Sequence, residues 1–176
     1  MKITNPLETV VNFFRLSISR HLKIKLVGDK MDDIFNYLSI NDRIATGGQP
    51  TEQQLVSIKN NGYQVVINLA LPTSENALPN EKQSVEYLGM KYIDIPIEFD
   101  TPQVEEFEYF CKIMTEHQHR KIFIHCAANL RVSVFMYLYR QIYEEISQEE
   151  AKADLEKLWR PNPTWQNLIN SITTFH

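Results

Sequence analysis

The chain has 176 residues, 43% of them hydrophobic and 23% charged, which suits one globular domain with a substantial core and excludes global disorder. Its formal net charge of −4 provides no general attraction to nucleic acid, so we expect no nucleic-acid partner. Two cysteines are too few for a disulfide scaffold and predict a reduced, cytoplasmic protein, and no Cys or His cluster has the spacing of a metal site.

The first thirty residues form a basic, amphipathic segment with six lysine and arginine residues against two acidic ones. An apolar stripe at helical spacing runs along it, made of Leu7, Val10, Val11, Phe14, Ile18 and Leu22. The pattern predicts a helix that packs on the domain or on a partner protein, or one that lies on a membrane surface. No apolar run is long enough to span a membrane. We therefore treat residues 1–30 as an appendage and residues 31–176 as the domain.

From about residue 32, short apolar runs alternate with helical patterns, which is typical of a sheet with crossover helices. The predicted strands lie within DRIATGGQP, YQVVINLAL, MKYIDIPI and KIFIHC. The predicted helices follow a capping box at Thr51 and Gln54, surround Glu81–Tyr87, run from Thr101 to about His117 and from Arg131 to about residue 145, and close the chain after Ser147 and from about Thr164. This order predicts a three-layer α/β domain with a mostly parallel central sheet.

The stretch KIFIHCAANLRVSVFMYLYR places Cys126 between the last predicted strand and a helix. Backbone N–H groups at the start of a helix have no intrahelical partners and attract anions. The same field favours thiolate over thiol. Nothing bulky follows Cys126 for two residues, and Asn129 tolerates a left-handed turn. The loop predicts a nucleophile combined with an oxyanion cradle, and the alternative interpretation is a buried structural cysteine.

These residues resemble a known family. HCAANLRVS is similar to the signature loop of the cysteine-dependent protein-tyrosine and dual-specificity phosphatases, which has His-Cys, five residues, Arg, and then Ser or Thr. Together with IATGGQPTEQQL, GYQVVINLAL and GMKYIDIPIEFDTP, it looks like the small bacterial phosphatases also described as the phosphatase-like domain of beta-lactamase-hydrolase-like proteins. The resemblance runs from about Asp42 to Arg140 and implies the cysteine-phosphatase fold, a phosphocysteine intermediate, and no cofactor.

The resemblance also implies a role for each catalytic residue. Cys126 would be the nucleophile, His125 would orient the loop, and Ser133 would assist departure of the thiolate. Asp100, in the loop after the YIDIPI strand, would protonate the leaving oxygen, with Glu98 as the alternative acid. The substrate would be a phosphorylated protein or a small phosphoester.

The oxyanion would be bound by one side chain and by the loop backbone. Arginine can hold two oxygens of a tetrahedral anion at once, which favours Arg131 for this role. The resemblance assigns the remaining contacts to Ala127, Ala128, Asn129 and Leu130. Asn129 stands where a glycine is usual.

The arginine spacing departs from the family pattern, because four residues separate Cys126 from Arg131 and Val132 stands at the family's arginine position. One helical step is a rotation of about 100°. Either the loop is one residue tighter, or Arg131 points away from the anion. The shorter spacing is also that of rhodanese-type sulfurtransferases, whose cysteine carries a persulfide. Three hypotheses therefore stay open: a phosphatase, a sulfurtransferase, and a non-catalytic oxyanion-binding protein.

Overall fold

The computed structural model of the chain describes residues 28–144 and 146–175. Its strands are β1 (Leu38–Ser39), β2 (Ile44–Gly47), β3 (Val65–Asn68), β4 (Lys91–Asp94) and β5 (Ile122–His125). Its helices are α1 (Glu52–Asn60), α2 (Glu81–Tyr87), α3 (Val104–Glu116), α4 (Leu130–Tyr143), α5 (Gln148–Leu158) and α6 (Pro163–Phe175), and a short 3-10 helix spans Met31–Asp33.

The strands form a five-stranded sheet in the order β1-β2-β5-β3-β4. β1 runs antiparallel to β2, whereas the other neighbouring pairs are parallel. β3 and β5 are buried along their whole length, because helices cover both faces of the sheet. The predicted three-layer α/β domain with a mostly parallel sheet is confirmed.

Two hydrophobic clusters occupy the two sides of the sheet. On one side, α1, α2 and the 3-10 helix cover Ala45, Val66 and Phe123. On the other side, α3 to α6 cover a larger cluster that includes Ile67, Ile124, Phe110, Phe135 and Trp165. The alternation of side chains along β5 therefore sends His125 to the α1–α2 side and Cys126 to the larger cluster.

Most predicted boundaries agree with the structure, and two differ from it. The capping box of Thr51 and Gln54 is present at the start of α1. α3 begins at Val104 and not at Thr101, because Pro102 disfavours helical geometry at Thr101 and Gln103 caps the helix instead. The predicted start at Thr101 is therefore wrong. α4 begins at Leu130, one residue before the predicted start.

The basic amphipathic segment lies outside the described residues except at its end. There the carbonyl of Gly28 accepts a hydrogen bond from Gln54 Nε2 of α1 at 2.9 Å. The predicted contact of residues 1–30 with a membrane or a partner stays a prediction. Among the helices of the described ranges, none combines the length and the apolar content needed to cross a bilayer.

A buried ion pair fastens α5 to α4. Arg140 is buried, and its guanidinium lies 2.5 Å from Oδ2 of Asp154, while Lys157 contacts the other carboxylate oxygen, Oδ1, at 2.6 Å. Burial raises the pKa of Asp154, but the hydrogen bonds and charges of Lys157 and Arg140 hold that pKa below its usual range. The carboxylate of Asp154 therefore stabilises the folded state.

We expect Asp154→Ala to lower the free energy of unfolding by about 2 kcal/mol, because it removes the shortest contact of the buried Arg140 guanidinium and leaves only the longer ones to Glu144 and Glu150. The folded-state pKa lies below the unfolded value of about 3.9, so the stabilisation is present above that pH and is lost as the pH falls through the folded pKa. Urea unfolding at several pH values measures the effect. The exposed Glu156, on the same helix, provides a control, since Glu156→Ala should change stability by less than about 0.5 kcal/mol. Equal losses in the two variants would contradict the assignment.

Candidate active site

The cysteine loop lies at the carboxyl edge of the sheet. β5 is the central strand, between β2 and β3, and it ends at His125. Residues 126–129 then lead directly into α4. Ligands of α/β proteins bind outside the carboxyl ends of parallel strands, so the loop has the position of a binding site. Cys126 itself is 1% exposed.

The loop is held by its carbonyl groups. Ala127 O accepts hydrogen bonds from Gln49 N at 3.3 Å and from Asn76 Nδ2 at 2.8 Å. Ala128 O accepts a hydrogen bond from Asn36 Nδ2 at 2.9 Å. A trans peptide points its N–H away from its carbonyl oxygen, and the described chain has no cis peptide. The N–H of Ala128 therefore points to the side of the loop opposite Gln49 and Asn76.

The first turn of α4 provides further donors. Leu130, Arg131 and Val132 are its first three residues, whose N–H groups have no acceptor within the helix. Asn129 precedes them, but its side chain makes no capping hydrogen bond to the helix. These N–H groups and the positive end of the helix dipole favour an anion at this place.

Asn129 can replace a glycine because of its backbone conformation. Its φ is 64°, in the left-handed region that asparagine tolerates better than most residues. Its buried side chain donates to Asn36 O at 2.7 Å and to Thr46 Oγ1 at 2.9 Å. Asn36, which is also left-handed with a φ of 53°, returns its own side-chain bond to Ala128 O. We call Asn36 and Asn129, each of which bonds through its side chain to the backbone of the other's segment, the asparagine clamp.

Gly48 allows the main chain to approach the cysteine loop. It forms a β-bridge with Ala128. A Cβ atom at Gly48 would lie 3.0 Å from Phe35 O and 3.1 Å from Ala127 O, both backbone atoms that cannot move without displacing the loop. The sequence reasoning did not include Gly48 in the site, and its only signal was the Gly-Gly pair in IATGGQP.

Of residues 131 and 132, Val132 is fully buried in the hydrophobic core. Arg131 is therefore the residue of this pair that lies next to the loop. Arg131 is 8% exposed, and its guanidinium carbon lies 5.3 Å from the centre of the Phe99 ring, a cation–π contact. Within the described ranges, no carboxylate pairs with Arg131 and its Nε has no hydrogen-bond acceptor. The guanidinium is therefore held against Phe99 at the start of α4, and its orientation toward a bound anion stays a prediction.

Asp100 lies on an exposed loop beside this cation. It follows Phe99, whose ring contacts the Arg131 guanidinium. The carbonyl of Phe99 accepts a hydrogen bond from Trp165 Nε1 at 2.9 Å, which fixes the loop against α6. The arrangement brings the Asp100 segment to the start of α4 and leaves the Asp100 carboxylate in solvent.

Ser133 makes contacts other than those that the resemblance implies. Its Oγ donates to Leu130 O at 2.8 Å and accepts from Trp159 Nε1 at 3.0 Å. The hydroxyl proton is therefore directed to a backbone carbonyl and not to the sulfur of Cys126. The role of Ser133 in thiolate departure stays a prediction, and the structure gives it a second function in fixing Trp159 to α4.

His125 lies under the loop in contact with a carboxylate that the sequence reasoning missed. Its ring is fully buried, and its Nε2 lies 3.2 Å from Glu81 Oε1. Glu81 accepts hydrogen bonds from Gln49 at 2.5 Å, Asn68 at 2.9 Å and Tyr92 at 3.3 Å, whereas its pairing with His125 is a charge contact. Burial raises the pKa of Glu81, but the charge of His125 and the hydrogen bonds from Gln49 and Tyr92 outweigh it and hold that pKa below its usual range. Glu81 is therefore a buried, ionised carboxylate.

Three solved structures define the class of fold. The "Putative phosphatase (DUF442)" of Shewanella putrefaciens CN-32 is 30% identical to this chain, with 82% of this chain and 95% of that one covered and a TM-score of 0.74. Tk-PTP in its active form is 19% identical, with 79% and 97% covered and a TM-score of 0.68. PTPMT1 in complex with PI(5)P is 15% identical, with 79% and 97% covered and a TM-score of 0.64. The chain has the fold of the protein-tyrosine and dual-specificity phosphatases.

A family model described as "DSP-PTPase phosphatase fused to NAD+ Kinase" matches residues 17–167. No curated protein matches the chain at a significant level. The chain belongs to this phosphatase family, which confirms the resemblance to the cysteine-dependent phosphatases. The narrower likeness to bacterial beta-lactamase-hydrolase-like proteins stays a prediction, as does the domain boundary at residue 30, since the match begins before it.

We expect substitutions of Asn129 in the asparagine clamp to lower the free energy of unfolding, and alanine to lower it more than glycine. Asn129→Gly keeps the left-handed turn but loses both side-chain hydrogen bonds, which costs about 1 kcal/mol. Asn129→Ala loses the same bonds and adds about 1 kcal/mol of backbone strain. Urea unfolding of the two variants measures the difference. Equal stability of the alanine and glycine variants would show that residue 129 is not left-handed in solution.

Proposed function

We propose that the protein is a cysteine-dependent phosphatase that hydrolyses a phosphotyrosine, a phosphoserine or phosphothreonine, or a small phosphoester. The carrying observation is Arg131, a cation with no carboxylate partner among the described residues, which is 8% exposed and lies in the first turn of α4, where the N–H groups have no acceptor within the helix. A buried charge without a partner costs several kcal/mol, which a bound anion offsets. The membership of a phosphatase family supports a phosphoryl group as that anion.

The oxyanion would be held by groups of two kinds. The Arg131 guanidinium is planar and carries several donors in a fixed fork, so it can bind two oxygens together. The N–H groups of Ala128 and of the first turn of α4 would bind the remaining oxygen. Because the carbonyls of Ala127 and Ala128 are bonded elsewhere, the loop presents few acceptors that would repel the anion.

The reaction would proceed in two displacements. The Cys126 thiolate attacks phosphorus, the S–P bond forms and the bond to the leaving oxygen breaks, and Asp100 donates a proton to that oxygen. Asp100, now a carboxylate, takes a proton from a water molecule as the water attacks phosphorus. The S–P bond then breaks, which releases phosphate and restores the thiolate. His125 lies under the loop and would orient Cys126.

A non-catalytic oxyanion-binding protein is a second candidate, and two observations favour it. Cys126 is 1% exposed, which restricts the approach of a phosphorus atom to the sulfur. The Ser133 hydroxyl is bonded to Leu130 O and Trp159, away from the sulfur. Under this alternative, Arg131 and the helix N-terminus bind a phosphorylated ligand without turnover. The sulfurtransferase hypothesis rests only on the spacing of Cys126 and Arg131, and the family membership weighs against it.

Cysteine-dependent product release separates these three functions. We expect wild-type protein to release phosphate from an aryl phosphate. Cys126→Ser should be at least about 10³-fold slower, because a serine hydroxyl is a far poorer nucleophile than a cysteine thiolate at neutral pH. The same pair of proteins is assayed with thiosulfate plus cyanide. Thiocyanate formation that needs Cys126 would instead establish the sulfurtransferase. Phosphate binding without either product would establish the binding protein. The buried Cys111, on α3, provides a control, since Cys111→Ser should leave both assays unchanged.

We expect Arg131→Gln to weaken the binding of inorganic phosphate by about 10- to 100-fold, the value of one or two charge-assisted hydrogen bonds. Isothermal titration calorimetry at neutral pH measures the dissociation constant. Arg120→Gln removes an exposed arginine before β5, at the opposite edge of the sheet, and should leave the affinity unchanged. An unchanged affinity in Arg131→Gln would remove the basis of the proposal.

A further inference from the structure

A buried carboxylate lies under the cysteine loop on the α1–α2 side of the sheet. Glu81, the first residue of α2, is 5% exposed and packs beside an otherwise apolar cluster. Burying a carboxylate costs free energy even when it is paired, and an apolar residue of similar volume is often more stable. Fold stability alone therefore does not account for a charge at this place.

The groups that surround Glu81 come from four separate parts of the chain. Asn68 ends β3, Tyr92 lies in β4, His125 ends β5, and Gln49 follows β2. His125 and Asn68 are direct partners in the sheet register, so they stand side by side at the carboxyl edge. The two oxygens of one carboxylate bind all four side chains. Glu81 thus fixes the ends of three neighbouring strands relative to one another.

Two of these partners connect Glu81 to the cysteine loop. Gln49 donates its side-chain Nε2 to Glu81 at 2.5 Å and its backbone N–H to Ala127 O at 3.3 Å. His125 contacts Glu81 at 3.2 Å and is joined by a peptide bond to Cys126. Each connection passes through one residue only. A shift of the Glu81 carboxylate is therefore transmitted toward the loop at Cys126 through His125 and at Ala127 through Gln49.

We propose that Glu81 is a positioning residue of the anion site, which fixes the cysteine loop through Gln49 and His125. The proposal rests on the proposed function, since it assumes that the loop binds an oxyanion. Glu81 touches neither the sulfur nor the anion. Its effect is to hold the loop carbonyls outward, so that the N–H groups stay available to the ligand. The asparagine clamp fixes the other end of the same loop, at Ala128 and Asn129.

Titration calorimetry with inorganic phosphate, on the full chain at neutral pH and low temperature, tests the proposal. Glu81→Gln keeps the shape of the side chain but places an amide donor against donors of its partners, so we expect the dissociation constant to rise at least tenfold. The matched control is Glu86→Gln on the same helix, where the side chain is exposed and pairs with Lys82. The control should bind phosphate as the wild type does. Thermal unfolding shows that each variant is folded under the conditions of titration.

A second variant keeps the test valid if Glu81→Gln does not fold. Gln49→Met removes the side-chain bond to Glu81 and leaves the backbone N–H of residue 49 in place, and it should also weaken phosphate binding. Because both residues act in one chain of contacts, the double variant should bind no more weakly than Glu81→Gln alone. A lower melting temperature with wild-type affinity in both single variants would mean that Glu81 is only structural, and would overturn the proposal.

Failure of the proposed function gives a different result from failure of this inference. If wild-type protein binds no phosphate, the proposed function is wrong. The loop is then followed by the amide chemical shifts of Ala128 and Arg131 in ¹⁵N-labelled protein. Shifts that change in Glu81→Gln and not in Glu86→Gln support the positioning role of Glu81. Shifts that are the same in both variants overturn it.

Discussion

The outward anchoring of two carbonyl groups is the constraint on which the site depends. Ala127 O and Ala128 O are bonded to Gln49, Asn76 and Asn36, so the peptide between residues 127 and 128 can present its N–H only on the other side. This anchoring turns the N–H of Ala128 toward the site, and the first turn of α4 adds N–H groups that have no acceptor within the helix. Arg131 adds a buried positive charge. The fold explains the position of the site, because a central parallel strand delivers the loop to the carboxyl edge of the sheet.

The sequence predicted the elements with strong local signals. The strands β3 and β5 lie within apolar runs, and α1 is bounded by a capping box and Gly62, whose φ is +85°. β1 was missed, because a two-residue antiparallel strand has no measurable periodicity. The start of α3 was misplaced, because Thr101 looks like a cap in sequence while Gln103 takes that role in the structure. The restriction that Pro102 places on Thr101 was present in the sequence, and the prediction gave more weight to Thr101 as a cap.

The sequence predicted the part of the site that lies in one local motif, and it missed the part that comes from elsewhere in the chain. Cys126, His125 and Arg131 were predicted together because they lie in one contiguous motif, and the structure brings all three to the edge of the sheet, while their catalytic roles stay predictions. Glu81 was missed, because nothing in the sequence separates an acidic residue that opens a short helix from an ordinary exposed one. The spacing question at Arg131 also needed coordinates, since only the burial of Val132 shows which of the two residues faces the core.

The contacts around Ala127, Ala128 and Asn129 have a consequence for how such motifs transfer between proteins. The nine letters HCAANLRVS carry none of the side chains that hold the carbonyls of Ala127 and Ala128, because the donors come from Asn36, Gln49 and Asn76, far upstream in the chain. The motif alone therefore does not determine the conformation of the loop. Grafted onto another strand–helix junction, it would lose its shape, whereas a relative with different letters in the motif but the same three upstream donors would retain the cradle.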